Sequence, residues 1–323
     1  MSGALPSTEL AIETTGLTKR FGHQTAVDGI DLAVPHGSVF GFLGPNGSGK
    51  TTTIRVMLGL AAATSGHVRV LGQDMPASLR DVLPRVGALI EGPAFYPFLS
   101  GAANLQRFDT ADRHASSATR RARVNRALDR VGLSHAAGKK VRAYSLGMKQ
   151  RLGIANALLM PRELLVLDEP TNGLDPQGTR EVRSLVRSLA AEGTTVFVSS
   201  HLLAEVEQIC THAAVMSAGK LVAQGTVDEL RRVGLAHVKV QTPDTEGARR
   251  VLQRLGLAPE PPNSNNDGGS TVRAPLADHA VEPESIVAAL VAEGVRVRGF
   301  AVENSSLEER FVALTGEGFD VVQ

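Results

Sequence analysis

The sequence is short of cysteine, of charge imbalance and of long apolar runs, and each shortage narrows what the chain can be. Its single cysteine, Cys210, allows neither an intramolecular disulfide nor a thiolate metal cage, which fits a reducing compartment. Lys and Arg number 34 against 33 Asp and Glu, so no overall electrostatic pull toward nucleic acid is expected. No segment approaches the roughly 18 consecutive apolar residues of a membrane span, and the opening MSGALPSTELAIETT lacks a basic start followed by an apolar run. The chain is therefore expected neither to enter nor to cross a bilayer by itself, and the cytoplasm is the expected compartment.

What is present points to a globular protein. With 323 residues, 42% hydrophobic and 21% charged, the chain can bury at least one full core, and two domains are expected. Short, non-alternating apolar runs at Val39 to Leu43, Val86 to Ile90, Leu164 to Leu167 and Thr195 to Val198 read as strands buried on both faces of a mostly parallel sheet. Between the second and third, Ser100 to about Met160 carries no strand signal, which places a helical insertion at about residues 92–160. Within it, Arg107 to Arg142 holds ten Arg or Lys against three acids. This excess reads either as a solvated helical face or as a surface for anionic lipid headgroups or an acidic partner.

After about Gly234 the texture changes, and the expected domains are 1–232 and 233–323. The second reads as a small α+β domain. It has a strand at His237 to Gln241, a helical stripe of Ala248, Val251, Leu252 and Leu255, a polar loop PEPPNSNNDGGS, and a strand at Thr271 to Ala274. A helix through Ile286, Val287 and Leu290, a strand from Val295 to Val302, and a last helix through Leu307, Phe311 and Leu314 complete it; Ser305 and Glu308 are spaced as a capping box for that helix. No catalytic constellation falls in this domain.

The chemistry concentrates in FLGPNGSGKTTT, Phe42 to Thr53, where Gly44, Gly49, Lys50 and Thr51 satisfy G-x-x-x-x-G-K-[ST]. Glycines let successive backbone N–H groups converge, and the helix that follows adds its positive end, so phosphate oxygens bind there. Lys50 is expected to reach the β- and γ-phosphates, and Thr51 to place its hydroxyl on Mg²⁺. A second element, LLVLDE at Leu164 to Glu169, is an apolar strand ending in two carboxylates. Asp168 is the candidate for holding Mg²⁺ through its water shell, and Glu169 for orienting and deprotonating a water that attacks the γ-phosphate. A small-molecule kinase would instead need a hydroxyl acceptor and a substrate lid.

YSLGMKQRLGIANAL (Tyr144 to Leu158), DEPTNGLDP (Asp168 to Pro176) and SSHLL (Ser199 to Leu203) follow in the order seen in ATP-binding cassette (ABC) transporter ATPases. Over roughly residues 10 to 230 the chain resembles the nucleotide-binding subunit of a bacterial ABC exporter of the drug- and antibiotic-resistance type, whose membrane permease is a separate chain. The resemblance reaches the last ninety residues more loosely, through a closing segment like SLEERFVALTG. It implies an α/β phosphate-loop fold with a mostly parallel core sheet, an antiparallel β subdomain, a helical insertion and a small C-terminal α+β domain.

It further implies ATP and Mg²⁺ as ligands, with Phe21 stacked on adenine and Gly44, Pro45, Asn46, Gly47, Ser48, Gly49, Lys50, Thr51 and Thr52 forming the phosphate loop. His201 would contact the γ-phosphate, and Asp175 would lie in a loop crossing to a second subunit. Ser145 and Gly147, at the start of the signature helix, would face ATP bound by the other copy in a head-to-tail homodimer. The activity implied is ATP hydrolysis powering export of a small molecule, antibiotics and drugs included, through the permease. The location implied is peripheral, on the cytoplasmic face of the membrane, with permease helices docked near the Glu91 to Leu99 loop. Against a soluble ABC ATPase acting on DNA or ribosomes stand the single cassette and the absence of sustained heptads.

Two departures from the family pattern stand out. The usual LSGGQ signature is YSLGM here, so Leu146 and Met148 replace a glycine and a glutamine, and Lys149 or Gln150 is expected to take over the glutamine's contacts. Glu91 stands where the family normally has a glutamine that touches Mg²⁺. A carboxylate there is attracted by the metal and repelled by the γ-phosphate.

Overall fold

A computed structural model describes residues 10–92, 94–112, 115–232, 236–260, 271–276 and 281–304. The chain divides into two compact units, Met1–Val227 and Asp228–Gln323, a few residues before the boundary expected at 232/233.

In the first unit, β1 (Leu10–Phe21), β2 (Gln24–Ile30) and β3 (Ala33–Pro35) precede β4 (Val39–Leu43) and α1 (Lys50–Met57). Then come β5 (Ser65–Val70), β6 (Gln73–Met75), the short α2 (Leu79–Val82) and β7 (Val86–Leu89). The helices α3 (Gly101–Ala111), α4 (Arg120–Arg130) and α5 (Leu146–Ala157) occupy the stretch expected to be an insertion. Next follow β8 (Leu164–Asp168), α6 (Pro176–Ala191), β9 (Thr195–Ser200), α7 (Leu203–Ile209), β10 (His212–Ser217) and β11 (Lys220–Thr226).

Two sheets organise this unit. The antiparallel one runs β2-β1-β5-β6, with β3 also paired to β1. The other has the order β11-β10-β4-β9-β8-β7; its last five strands are parallel, and β11 pairs antiparallel with β10. Every residue of VFGFL in β4, LLVLD in β8 and TVFVSS in β9 is buried. Such continuous apolar runs suit strands covered on both faces, and the parallel sheet therefore brings the ends of β4, β8 and β9 to one edge. Phe40 stacks on Phe197 at 5.8 Å between ring centroids, and Phe42 tilts against the same ring at 5.3 Å.

On the sheet's other face α7 approaches β4 so closely that a Cβ on Gly41 would lie 2.5 Å from Val206 and 3.1 Å from the sulfur of Cys210. Burial pushes the Cys210 thiol up to about 12, with the nearby Glu205 charge adding to the shift.

The helical insertion is pinned by Asp109 on α3, whose carboxylate is fully buried. It accepts from Arg123 Nε at 2.7 Å and Arg120 Nε at 3.0 Å, both in the first turn of α4 within the basic stretch. The hydrogen bond from Arg123 holds the Asp109 carboxyl below its ordinary value, with Arg120 adding to the effect against burial. Arg130 pairs with Glu192. These ion pairs take up part of the cationic excess that composition left open.

The second unit holds most of α8 (Val227–Arg232), then β12 (Ala236–Gln241), α9 (Thr245–Arg254), β13 (Thr271–Leu276), α10 (Pro283–Ala292) and β14 (Gly299–Asn304). Its sheet has the order β13-β12-β14, antiparallel throughout, over a core that includes Val238, Val240, Val251, Leu252, Ile286 and Leu290. The strand expected from Val295 to Val302 starts later, at Gly299. Val295 is buried, but its N–H closes the end of α10 on Leu290 O at 3.0 Å and is not free for a ladder. The last helix expected at Leu307, Phe311 and Leu314, with its Ser305 and Glu308 cap, lies outside the described residues.

Candidate active site

Strand β4 ends at Leu43, and the chain turns through Gly44 to Gly49 into α1. Gly49 makes the turn possible: its φ is 103°, and a Cβ there would come within 2.4 Å of Ala26 O. No side chain caps α1, so its first N–H groups remain for an anion. Ser48 Oγ is buried in the same loop without a hydrogen-bond partner, an orphan that a phosphate oxygen would satisfy.

Lys50 opens α1 with only 6% of its side chain exposed. Its Nζ donates to Gly44 O at 2.7 Å and Pro45 O at 3.2 Å, and lies 3.4 Å from Glu169 Oε1. Burial lowers its pKa, and the facing Glu169 carboxylate works against that shift. A cation held among carbonyls in this way has an incentive to meet phosphate.

At the end of β8 the two acids divide their contacts. Asp168 Oδ2 accepts from Thr51 Oγ1 at 3.0 Å, and Oδ1 from Ser199 Oγ at 2.5 Å. The Glu169 N–H donates to Ser199 Oγ at 3.0 Å while its backbone takes the left-handed conformation, φ 48°. That unusual turn aims its carboxylate sideways, where Oε2 meets His201 Nδ1 at 2.8 Å. Lys50, Glu169 and His201 thus form one connected row.

A cavity of about 540 Å³ opens over Lys50 and Glu169, while His201 connects to it through Glu169 and is not part of its lining. It is lined by Phe21, Asn46, Gly47, Gly49, Lys50, Thr51, Thr52 and Glu169, all expected from the sequence. Phe21 is not a core residue: 52% of it is exposed, and Lys19 Nζ sits 4.7 Å from the ring centroid. The lining also includes Gln24, Thr25, Ala26, Ala218 and Gly219, which sequence reasoning missed. Of these, only the two-residue turn at Ala218 and Gly219, both with positive φ, leaves a sequence signal, as a tight hairpin between β10 and β11. A second cavity, about 350 Å³ and lined by residues such as Leu79, Leu83 and Arg162, holds none of the expected site residues.

The remaining expected residues lie elsewhere. Glu91, at φ 56°, turns its carboxylate to Arg55 on α1 and does not line the cavity. Ser145 Oγ caps α5 by accepting from Met148 N at 3.2 Å, with Gly147 in the first turn. Asp175 caps α6, accepting from Gly178 N at 2.8 Å. Gln150 is buried and its amide donates to Glu169 O at 3.4 Å, so it is committed within its own chain.

Mg²⁺ fits this donor set. Thr51 and Asp168 present hard oxygens beside the phosphate loop. Among the described residues no cluster of three or more His, Cys, Asp or Glu forms an all-protein cage. That suits a small cation which keeps waters and takes further ligands from phosphates.

A phosphate loop at one edge of a mostly parallel sheet, with an acid and a histidine converging on it, defines a nucleotide-hydrolysing cassette. Comparison with known proteins sharpens the class. A family profile described as "ABC transporter" matches residues 27–172. The bacitracin transport ATP-binding protein BcrA of Bacillus licheniformis is 39% identical over 309 residues, covering 95% of this chain and 98% of that protein. The daunorubicin resistance ATP-binding protein DrrA3 of Streptomyces coeruleorubidus is 36% identical over 310 residues, covering 96% and 97%. Among solved structures, cbiO1 from Clostridium perfringens, part of the ABC transporter complex cbiONQ, aligns with a TM-score of 0.63 at 26% identity, covering 77% of this chain and 96% of that one. The chain belongs to the ATP-binding subunits of the ABC transporter family, and its activity is ATP hydrolysis that drives transport.

Proposed function

We propose that this chain hydrolyses ATP on the Lys50–Glu169–His201 row to power export of an antibiotic or similar small molecule through a separate membrane permease. The observation that carries the reading is that row, a buried cation and a carboxylate–imidazole pair beneath a phosphate loop. The cargo class rests on the full-length likeness to bacitracin transport and daunorubicin resistance subunits.

Each residue then has a task. Phe21 offers its exposed face to the base, while the N–H groups of residues 44–52 and Lys50 hold the phosphates. Glu169 accepts a proton from the water whose oxygen attacks the γ-phosphorus, and the bond to the β-phosphate bridging oxygen breaks. His201, held by its Nδ1 contact to Glu169, keeps its other ring nitrogen for the γ-phosphate. Mg²⁺, held by Thr51 and Asp168, would supply charge neutralisation for the phosphates.

Ser145 and Gly147 lie outside the chain's own cavity, at the exposed start of α5, where a helix N-terminus can meet an anion brought by another copy. A head-to-tail homodimer follows. No helix among the described residues is long and apolar enough to cross a membrane, so the chain would sit peripherally on the cytoplasmic face, held by the permease. Its docking loop would be the one after Glu91: Tyr96 and Phe98 are exposed there, with Arg107 and Arg142 over their rings at 4.7 and 5.8 Å.

Fractionation tests the reading. The chain should sediment with membranes when a cognate ABC permease is co-expressed, and lose that association when Tyr96 and Phe98 are both replaced by serine. Sedimentation with ribosomes or DNA, indifferent to the permease, would favour a soluble remodelling ATPase instead.

A further inference from the structure

Beneath the Glu169–His201 pair lies a second contact between the same two chain segments, made by a residue with no part in the phosphate motifs. Glu205, in the first turn of α7, is only 6% exposed. Its Oε2 accepts from Thr171 Oγ1 at 2.6 Å and from Ser200 Oγ at 3.1 Å. Thr171 follows Glu169 by two positions, and Ser200 immediately precedes His201. The other oxygen, Oε1, faces Arg183 Nη2 of α6 at 3.6 Å, and α6 is the helix that Asp175 caps.

We infer that Glu205 is a positioning residue for hydrolysis, tying the segment that carries Glu169 to the segment that carries His201 and so setting the spacing of the pair above it. The inference rests on reading Glu169 and His201 as the catalytic pair.

A local role for Glu205 does not account for these contacts. An acid at the third position of a helix ordinarily reaches back to the N–H of the capping residue. Here that residue is Leu202, and its N–H already donates to Ser200 Oγ at 3.0 Å. Glu205 therefore backs up the cap through Ser200 and keeps reach for Thr171. A buried carboxylate is costly unless charge-paired and hydrogen-bonded, and an apolar side chain of similar size would fill the space without that cost. What the carboxylate adds is direction: one group holds two hydroxyls and a guanidinium at fixed places.

The arrangement is a ladder of two rungs. The upper rung is His201 Nδ1 to Glu169 Oε2 at 2.8 Å, and the lower is Thr171 to Glu205 to Ser200. Loosening the lower rung lets the upper one widen, and a misplacement on the order of 1 Å at a reacting group can cost roughly a hundredfold. Nucleotide affinity, set by the phosphate loop and Phe21, stays out of this linkage.

Steady-state kinetics of the full-length protein decide the matter, with Thr171→Val, Thr171→Ser, Glu205→Gln and the Thr171→Val/Glu205→Gln double variant. Each of Thr171→Val and Glu205→Gln should lower kcat roughly tenfold or more while KM for ATP stays within about twofold. Thr171→Ser, which keeps the hydroxyl, should restore turnover, and the double variant should be no slower than the slower single one. The idea is overturned if Thr171→Val keeps the wild-type kcat, if Thr171→Ser is as slow as Thr171→Val, or if kcat and KM move together. The threonine pair settles this even if Glu205→Gln fails to fold. Glu169→Gln runs alongside: if it turns over at the wild-type rate, the catalytic-pair reading has failed and not the tie.

Discussion

Replacing Glu169 by glutamine removes one negative charge and a proton acceptor but little volume, which makes its consequences calculable from the site. In the nucleotide-free chain Glu169 Oε1 faces Lys50 Nζ at 3.4 Å and opposes the depression of the lysine's pKa by burial. The variant leaves that buried cation with the Gly44 and Pro45 carbonyls and the weaker pull of the Asp168 charge, so the free protein should melt at a lower temperature than wild type. A bound triphosphate returns more negative charge to Lys50 than the variant lost, and binding should stay nearly intact. The stabilisation produced by saturating ATP, about 2.7 kcal/mol at a hundredfold excess over Kd, should therefore be at least as large as in wild type. Turnover should behave differently. A positioned general base contributes on the order of 10²–10⁴-fold, so hydrolysis should drop by about a hundredfold or more, roughly 2.7 kcal/mol of barrier. Thermal melts with and without ATP, together with phosphate release, read both effects. A variant that still hydrolyses within tenfold of wild type, or that loses ATP binding as Lys50→Ala should, would refute the division of labour between Glu169 and Lys50.

Other consequences follow from the same geometry. Asp109→Asn should cost about 2 kcal/mol at pH 7, since Arg120 and Arg123 lose their charged acceptor while Arg123 keeps Thr119 Oγ1 and Ser116 O. Because the folded pKa of Asp109 is depressed, its contribution is complete above the ordinary carboxyl value near 4 and is lost as pH falls toward the depressed one. Urea melts of wild type and variant should accordingly converge in acid and differ most at neutral pH. If Glu91 leaves Arg55 for the metal once ATP and Mg²⁺ bind, Glu91→Gln should alter the Mg²⁺ dependence of turnover more than the affinity for ATP. Its pairing with Arg55 is half exposed and contributes at most about 1 kcal/mol, so stability should scarcely change. Superimposable Mg²⁺ titrations of the two proteins would remove that idea.

The parallel core and the phosphate loop were legible because their signals are local. Runs such as VFGFL and LLVLD are buried on both faces, so their apolarity needs no partner to be understood, and the glycine, lysine and threonine spacing is a property of one turn. Phe21 was harder, since an aromatic after a basic pair fits a core as well as a platform, and only its exposure over the cavity separates the two. Gln24 to Ala26 were not legible at all, and the Ala218–Gly219 turn was legible only as a tight hairpin, not as part of a site. Ala26 acts by its carbonyl, which fills the space a side chain at position 49 would need, and backbone contributions leave no trace in residue type. Glu91 and Gln150 mark another limit: each has a plausible role at the nucleotide, yet Arg55 and the Glu169 carbonyl hold them through contacts that appear only on folding. At the start of β14 the apolar run from Val295 was shared between a helix end and a strand, which periodicity alone does not divide.

The state of Cys210 has a practical side. With burial pushing its thiol up to about 12, little of it is thiolate at neutral pH, so maleimides should react with it slowly. A cysteine introduced in place of Ala143, exposed two positions before Ser145, would be the more reactive handle. Fluorophores or short bifunctional linkers attached there could report, in real time, when two copies come together and when they part.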